Sequence, residues 1–373
     1  MRDQVLTHAK RIVVKVGSSL VASRESGLKE DRLERLVDDI GAVKSTGRDV
    51  LVVSSGAIVS GIRKLGLSSY PKSLPLKQAA AAVGQSRLMW AYEKAFERLG
   101  ITVAQILLTH QDLADRRRFL NARHTLTTLL TRGIVPIINE NDTVSVEEIR
   151  FGDNDTLAAE VAHLVDADLL VILSDVDGVF TDDPKRNPAA TLMPLIAEIT
   201  EDIERRAGGS SKIEGTGGMA TKIQASKKVG AYGVATLIIN GETAGLLGSI
   251  FDGAEAGTLI LPRGRRLPSR KQWIAHTLRP KGQVVLDDGA VEALTRRGKS
   301  LLPSGITGIS GQFEPGDAVM CLDSHGKELA KGLVNFSSAT LALMKGLKTS
   351  EIQQHLGGQE YEEVIHRDNL VLL

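Results

Sequence analysis

From the amino terminus to about residue 262, short apolar runs alternate with longer stretches of helical period. The runs RIVVKV, DVLVVS, TVAQILL, GIVPIIN, ADLLVILS and VATLIIN are rich in valine, isoleucine and leucine and continuous in their apolarity. They predict strands buried on both faces. Between them, DRLERLVDDIGAVKSTG, LPLKQAAAAVGQSRLMWAYEKAFERLG and NDTLAAEVAHLVDA carry the spacing of helices. Gly47, Gly100 and Gly133 stand just before the next strand, where helix stops belong. The alternation predicts an α/β fold in three layers, its mainly parallel central sheet covered by helices on both faces.

The texture changes near residue 262. The stretch PRGRRLPSRKQWIAHTLRPKG carries many basic residues, prolines and no acidic residue, and reads as a linker over 263–278. Beyond it, GDAVMCL, the turn DSHGKE and LAKGLVNF read as a strand pair, with shorter elements and denser glycine and proline punctuation. We therefore expect one large domain over 1–262 and a small, mostly β domain over 279–373. No repeat of fixed period and no low-complexity tract interrupts this plan.

Composition narrows the class. The 373 residues are 42% hydrophobic and 24% charged, which suits a soluble globular protein with ample core. Aromatics make up 3%, and 46 basic residues face 45 acidic ones, which argues against nucleic acid as the main partner. Cys321 is the sole cysteine, so an intramolecular disulfide and a cysteine-based zinc cluster are excluded and a reducing compartment is implied. The histidines show no H-E-x-x-H pair. Lys15 interrupts the apolar run of the amino-terminal segment, which reads as a mature strand, not a leader. No uncharged apolar run approaches the length of a membrane span, and the expected location is cytoplasmic.

In open α/β sheets ligands bind where strands end at their carboxyl side, so the residues that follow each strand matter most. RIVVKV runs into Gly17-Ser18-Ser19, DVLVV into Ser54-Ser55-Gly56, GIVPII into Asn139-Glu140-Asn141-Asp142, and ADLLVIL into Ser174-Asp175. Lys15 lies inside an apolar strand, where lysine requires either an anionic partner or an edge position that reaches solvent. The small residues after it favour the anion, because they let backbone N–H groups approach a phosphate or carboxylate. Ser54 and Ser55 open a strand-to-helix turn, which serves either an N-cap or an anion at the helix start. The turn does not fit G-x-S-x-G, so a serine nucleophile is set aside.

NENDTV and FGDNDTLAAE are dense in asparagine and aspartate but lack the glycine and glutamate spacing of a calcium loop. Asp155 with Thr156 also fits a helix cap. Carboxylate and amide oxygens gathered there suit the ammonium of a small zwitterion. SDVDGVFTDDPKRNP brings acceptors that fit nucleotide hydroxyls or a solvated turn. GTGGMATK, residues 215–222, has the glycines and lysine of a phosphate loop in a different order from G-x-x-x-x-G-K-[ST]. Together these pieces describe phosphoryl transfer, which needs cations, backbone donors and Mg²⁺ but little covalent chemistry from the protein. Lys15 and Lys222 are the available cations.

In series, IVVKVGSS, VVSSGAIVSG, AAVGQSRL, RRFLNAR, PIINENDTV, FGDNDTLAA, DVDGVFTDDP and GTGGMATK resemble the amino acid kinase family over essentially the whole large domain, and within it the branch whose acceptor is glutamate. The tail, from GQVVLDDGAVEAL to GLVNFSS, resembles a PUA domain, a small β-barrel often attached to RNA-modifying enzymes. Aspartate kinases start differently and carry regulatory ACT domains, and uridylate kinases lack this tail. The resemblance implies transfer of the γ-phosphoryl of ATP to the side-chain carboxylate of L-glutamate, opening proline synthesis. By motif, Lys15 and Lys222 would stabilise the transferring group and Asp155 would orient them. Ser55, Asp142 and Asn154 would hold glutamate. Lys15, Ser174, Asp175 and the run Thr216, Gly217, Gly218, Met219, Ala220, Thr221 and Lys222 would hold the nucleotide. No metal ligand is assigned by motif. The resemblance further implies Mg²⁺, a homo-oligomer (dimer or tetramer), feedback inhibition by proline and a glutamyl phosphate reductase as partner. Ser54 stands where many members have threonine, a conservative departure. A second reading, a mainly RNA-binding chain, rests on the PUA-like tail and on Arg263, Arg265, Arg266, Arg270 and Lys271.

Overall fold

A computed structural model describes residues 2–23, 27–145, 154–184, 186–208, 218–263, 271, 274–275, 278–347, 352 and 363–373. The chain divides into two compact units, Met1–Arg266 and Leu267–Leu373. The expected linker over 263–278 falls largely outside the described residues.

In the first unit the strands are β1 (Arg11–Val16), β2 (Ala22–Ser23), β3 (Gly27–Leu28), β4 (Asp49–Val53), β5 (Val103–Leu108), β6 (Val135–Glu140), β7 (Leu169–Ser174), β8 (Leu195–Ile196), β9 (Ala235–Asn240) and β10 (Thr258–Ile260). All but the β2–β3 hairpin join one eight-stranded sheet of order β5-β6-β4-β1-β7-β9-β10-β8. The six strands foreseen from apolar runs are its parallel part, from β5 to β9. The pattern did not reveal β8 and β10, whose two and three residues are too short to show a period. β10 runs antiparallel to β9, so the sheet is mainly parallel, as expected.

The helices of this unit are α1 (Arg2–His8), α2 (Ser18–Val21), α3 (Glu30–Ser45), α4 (Ala57–Lys64), α5 (Leu74–Glu97), α6 (His110–Ala114), α7 (Arg116–Thr131), α8 (Asp155–Leu164), α9 (Glu201–Gly208), α10 (Met219–Ala231) and α11 (Leu246–Phe251). α3 buries Leu33, Leu36, Val37, Ile40 and Val43, one stripe at helical spacing, and carries Glu30 and Asp31 in its first turn, where the helix dipole favours them. The stripe joins a core that includes Ile12, Val14 and Val16 of β1 with Leu88, Tyr92 and Phe96 of α5. Val13 and Lys15, one residue out of phase, face the opposite layer. The stops at Gly47, Gly100 and Gly133 hold: each has the positive φ, 84°, 67° and 72°, that ends a helix in the left-handed region.

One helix–helix contact bears directly on the site. α4 and α5 meet at Gly61 and Gly84, where a Cβ on Gly61 would fall 1.9 Å from the Ala80 carbonyl oxygen and one on Gly84 1.8 Å from that of Ala57. No larger side chain fits, and the backbone at the start of α4 is fixed by the body of α5.

The second unit holds β11 (Gly282–Leu286), α12 (Asp288–Thr295), β12 (Ile306–Gly311), β13 (Ala318–Leu322), β14 (Glu328–Leu333), α13 (Ser338–Met344) and β15 (Leu370–Leu372). Its five-stranded sheet has the order β12-β11-β13-β14-β15. The anticipated pair is β13 and β14, antiparallel from Ala318↔Leu333 to Leu322↔Glu328. A separate core of Val284, Leu286, Phe313, Val319, Cys321 and Leu341 stabilises this unit. Cys321 is fully buried there, and burial pushes its thiol up to about 12, so it is inert as a nucleophile.

Candidate active site

Lys15 sits in β1, between β4 and β7, with Val53 and Ile172 as register neighbours. The strand is central, which removes the edge explanation for its lysine. Its anion is Asp155: the Lys15 Nζ forms an ion pair with Asp155 Oδ1 at 2.5 Å, both side chains being buried. Lys222, on the first turns of α10, approaches the other carboxylate oxygen at 3.9 Å and the Gly218 carbonyl oxygen at 3.5 Å. The Thr221 hydroxyl lies 3.0 Å from Asp155 Oδ2 and 2.8 Å from the Gly218 carbonyl oxygen. A buried carboxylate thus stands between two buried ammonium groups, an arrangement whose net positive charge favours an anion beside it.

The alternative of ordinary helix capping fails at these places. Asn154 is the N-cap of α8 and Asp155 already its first helical residue, and no side chain caps the helix. α4 starts from Gly56, at φ 100°, again without a side-chain cap, so Ser54 and Ser55 are free of that duty. α10 starts from Gly218 in the same way. Uncapped helix starts leave backbone N–H donors for an anionic ligand.

Beside the lysines lies a cavity of about 70 Å³ lined by Ser18, Ser55, Gly56, Tyr70, Asp142 and Asn154, among others. The Asn154 side-chain N–H₂ donates to the Ser54 carbonyl oxygen at 2.6 Å and to Asn139 Oδ1 at 2.7 Å. The Asn139 amide in turn donates to Gln85 Oε1 at 2.7 Å, and its Oδ1 also accepts from the Glu140 N–H at 2.9 Å. Both protons of the Asn154 amide are therefore spent on protein, and its remaining capacity is acceptance at Oδ1. Under the cavity floor, Ser54 Oγ lies 3.0 Å from the Tyr92 hydroxyl, whose pKa burial raises. Asp142 is half-buried, and burial pushes its carboxyl up to about 6.

Ser174 ends β7 and Asp175 follows it, next to Gly17, whose N–H donates to the Leu173 carbonyl oxygen at 3.3 Å. Ser174 Oγ donates to Asp175 Oδ1 at 3.2 Å, and the Ser174 carbonyl accepts from the Gly241 N–H at 2.8 Å. The structure thus brings Lys15, Asp155, Thr221 and Lys222 into one cluster and Ser55, Asp142 and Asn154 into one cavity. Met219 and Ala220 open α10, whereas Thr216 and Gly217 lie outside the described residues, as do residues 151–153 of FGDNDTLAAE. Gln85 escaped the sequence reading, since a glutamine on a helix has no pattern that separates it from surface polarity. Asn139 was visible only as one member of a polar cluster. Of the basic stretch, Arg263 pairs with Glu198 at 2.8 Å.

Paired cations around a fixed carboxylate, beside a polar cavity where parallel strands end, fit phosphoryl transfer. The chain belongs to the amino acid kinase family, which it matches over residues 10–240, and it matches the PUA domain over 282–356. Over 373 residues, all of both chains, it is 51% identical to glutamate 5-kinase of Geobacter sulfurreducens and 52% to that of Geobacter metallireducens. The expected family and its PUA-type tail are thereby borne out. Among solved structures, UMP kinase from Bacillus anthracis is similar with a TM-score of 0.49 and 18% identity, covering 69% of this chain and 97% of that one.

Proposed function

We propose that this chain transfers the γ-phosphoryl group of ATP to the side-chain carboxylate of L-glutamate, giving L-glutamyl 5-phosphate in the first step of proline biosynthesis. The observation that carries the chemistry is the Lys15–Asp155–Lys222 cluster beside the acceptor cavity. A carboxylate oxygen attacks the γ-phosphorus, the bond to the β–γ bridging oxygen breaks, and ADP leaves with that electron pair. The nucleophile is already an anion, so no general base is needed. What the reaction demands is positive charge that lets two anions approach, and a fixed alignment. Lys15 and Lys222 supply the charge. Asp155 holds them in place before reaction, so that little reorganisation is left for the transition state.

At the acceptor, Asn154 Oδ1 and ionised Asp142 receive the α-ammonium, and Ser55 with the start of α4 donates to a substrate carboxylate. Ser174, Asp175 and the segment Thr216 to Lys222 hold the nucleotide, with the N–H groups at the start of α10 facing its phosphates. Mg²⁺ enters with ATP. It is a cation that binds through substrate phosphates with one or two carboxylates and retained waters. The described residues contain no cluster of three or more acidic, histidine or cysteine side chains able to cage a metal, and Mg²⁺ needs none. It would neutralise phosphate charge. We assign the kinase chemistry to residues 1–262 and leave 263–278 as linker and 279–373 as the PUA unit. The family relationship supports a homo-oligomer, inhibition by proline and consumption of the reactive acyl phosphate by a glutamyl phosphate reductase. No helix among the described residues is long and apolar enough to cross a membrane, which accords with a cytoplasmic enzyme.

The test is incubation with ATP, Mg²⁺ and hydroxylamine in the presence of L-glutamate, N-acetylglutamate or L-aspartate. Glutamate-dependent hydroxamate is expected; hydroxamate with another acceptor alone would overturn the specificity, and none with any would overturn the reaction.

A further inference from the structure

The phosphoryl-transfer cluster depends on two helices that reach it independently. α8 supplies Asp155 and α10 supplies Thr221 and Lys222. Beyond the cluster these helices are tied a second time. Glu160, one and a half turns along α8, is buried at 5% exposure of its side chain, and its Oε1 accepts from Lys228 Nζ of α10 at 2.6 Å. A third tie follows, where the rings of His163 and Tyr232 stack with centroids 4.1 Å apart and planes 7° from parallel. The ties advance along both helices from the catalytic end, at 155 with 221–222, at 160 with 228 and at 163 with 232.

Glu160 has another partner. His110 Nδ1, at the start of α6, lies 3.0 Å from Glu160 Oε1 and 3.3 Å from Oε2. α6 follows β5 directly, and the Leu108 carbonyl at the end of β5 accepts from the Asn141 N–H at 2.9 Å, next to Asp142 of the acceptor cavity. One buried carboxylate thus touches the helix that carries Lys222 and the helix that follows the strand bonded to Asn141. A buried carboxylate is costly without partners, so loss of Lys228 would penalise Glu160 more than loss of a surface partner would.

We propose that Glu160 and Lys228 are positioning residues for phosphoryl transfer: their pairing sets the placement of α10 against α8, and so the distance at which Lys222 meets Asp155. This rests on the kinase reading above. Lys228 lies six residues from Lys222, about 9 Å along the helix at 1.5 Å per residue, too far to touch substrate. Its effect therefore passes through helix placement. Because a misplacement of about 1 Å in a reacting group costs up to roughly 10²-fold in rate, removal of the tie should lower turnover and leave the binding of each substrate nearly intact.

The experiment uses the full chain and compares wild type with Lys228→Met, Lys228→Arg and Glu160→Gln in the hydroxamate assay, with kcat, both KM values and Tm recorded. Wild-type activity with glutamate first secures the kinase reading, so that a failure there is distinct from a failure here. The expected result is a kcat about tenfold lower in Lys228→Met and Glu160→Gln, KM values for glutamate and ATP within about twofold, and recovery of most of the rate in Lys228→Arg. Wild-type kcat in folded Lys228→Met, even with a lowered Tm, would overturn the proposal, since the tie would then be structural alone. So would a Lys228→Arg protein as slow as Lys228→Met. Should Lys228→Met not fold, the nearly isosteric Glu160→Gln decides by the same kcat criterion.

Discussion

Asp155 shows most clearly how a side chain acquires a role from its place. Its carboxylate offers one oxygen to Lys15 and the other to Thr221 and Lys222. Lys222→Ala should leave the fold intact and lower kcat by about 10²-fold or more, the usual loss when a preorganised charge stabiliser is removed; single-turnover phosphoryl transfer in a protein of unchanged circular dichroism checks this. Asp142 yields a pH dependence. Burial pushes its carboxyl up to about 6 in the fold against an ordinary 3.8, so the ionised form proposed to receive an ammonium is lost as pH falls through 6. The expected kcat/KM profile for glutamate has an acidic limb near that value, absent in Asp142→Asn, whose KM for glutamate exceeds that of wild type above the limb and converges with it below. For stability the sign is opposite: between 3.8 and 6 the folded state binds more protons than the unfolded one, and stability falls as pH rises across that window. Ligand-free Asp142→Asn should therefore melt higher than wild type at pH 7, as thermal unfolding can show. Lys15 was legible as a buried cation, because lysine in an apolar strand violates a strong rule. Gln85 was not, since its function exists only through Asn139 and Asn154, which lie far from it in sequence.

Among the elements, the long parallel strands could be read directly from their apolar runs, and the helices between them from spacing and glycine stops. β8 and β10 could not, because pairing with β9 and with each other, and not their own pattern, makes them strands. The α4–α5 contact was equally invisible: glycines at Gly61 and Gly84 look like weak helix formers until the two backbones are seen to touch. Gly84→Ala would place a methyl group 1.8 Å from the Ala57 carbonyl oxygen and push α5 away from α4, whose first turn lines the acceptor cavity. Overpacking of this kind costs about 1–3 kcal/mol. The variant should show a reduced midpoint in urea and a raised KM for glutamate with a smaller change in the KM for ATP.

At the scale of the whole molecule, the core around β1 and α3 and the core of the second unit share no residue. Every described residue assigned to the reaction belongs to the first unit, Met1–Arg266. A chain ending at Arg266 should consequently retain glutamate-dependent hydroxamate formation within about tenfold of the full chain, because the rate depends on groups whose positions its own core fixes; a comparison of the two purified proteins checks it. The basic, proline-bearing stretch after residue 262 breaks the strand–helix alternation and is the reason a boundary is expected there, whereas the five-stranded order of the second unit was not legible, its short strands being paired out of sequence. One feature of the large sheet reaches further. β1 is fourth of eight strands and is bonded on both sides, so the peptide amide of Lys15 meets solvent only when the sheet itself opens. Deuterium should enter that peptide more slowly than α10, which lies outside the sheet. The two lysines proposed as catalytic then differ in permanence: an ageing sample that has lost activity yet still shields β1 from deuterium has been damaged on the Lys222 side, while its Lys15 stands where it always stood.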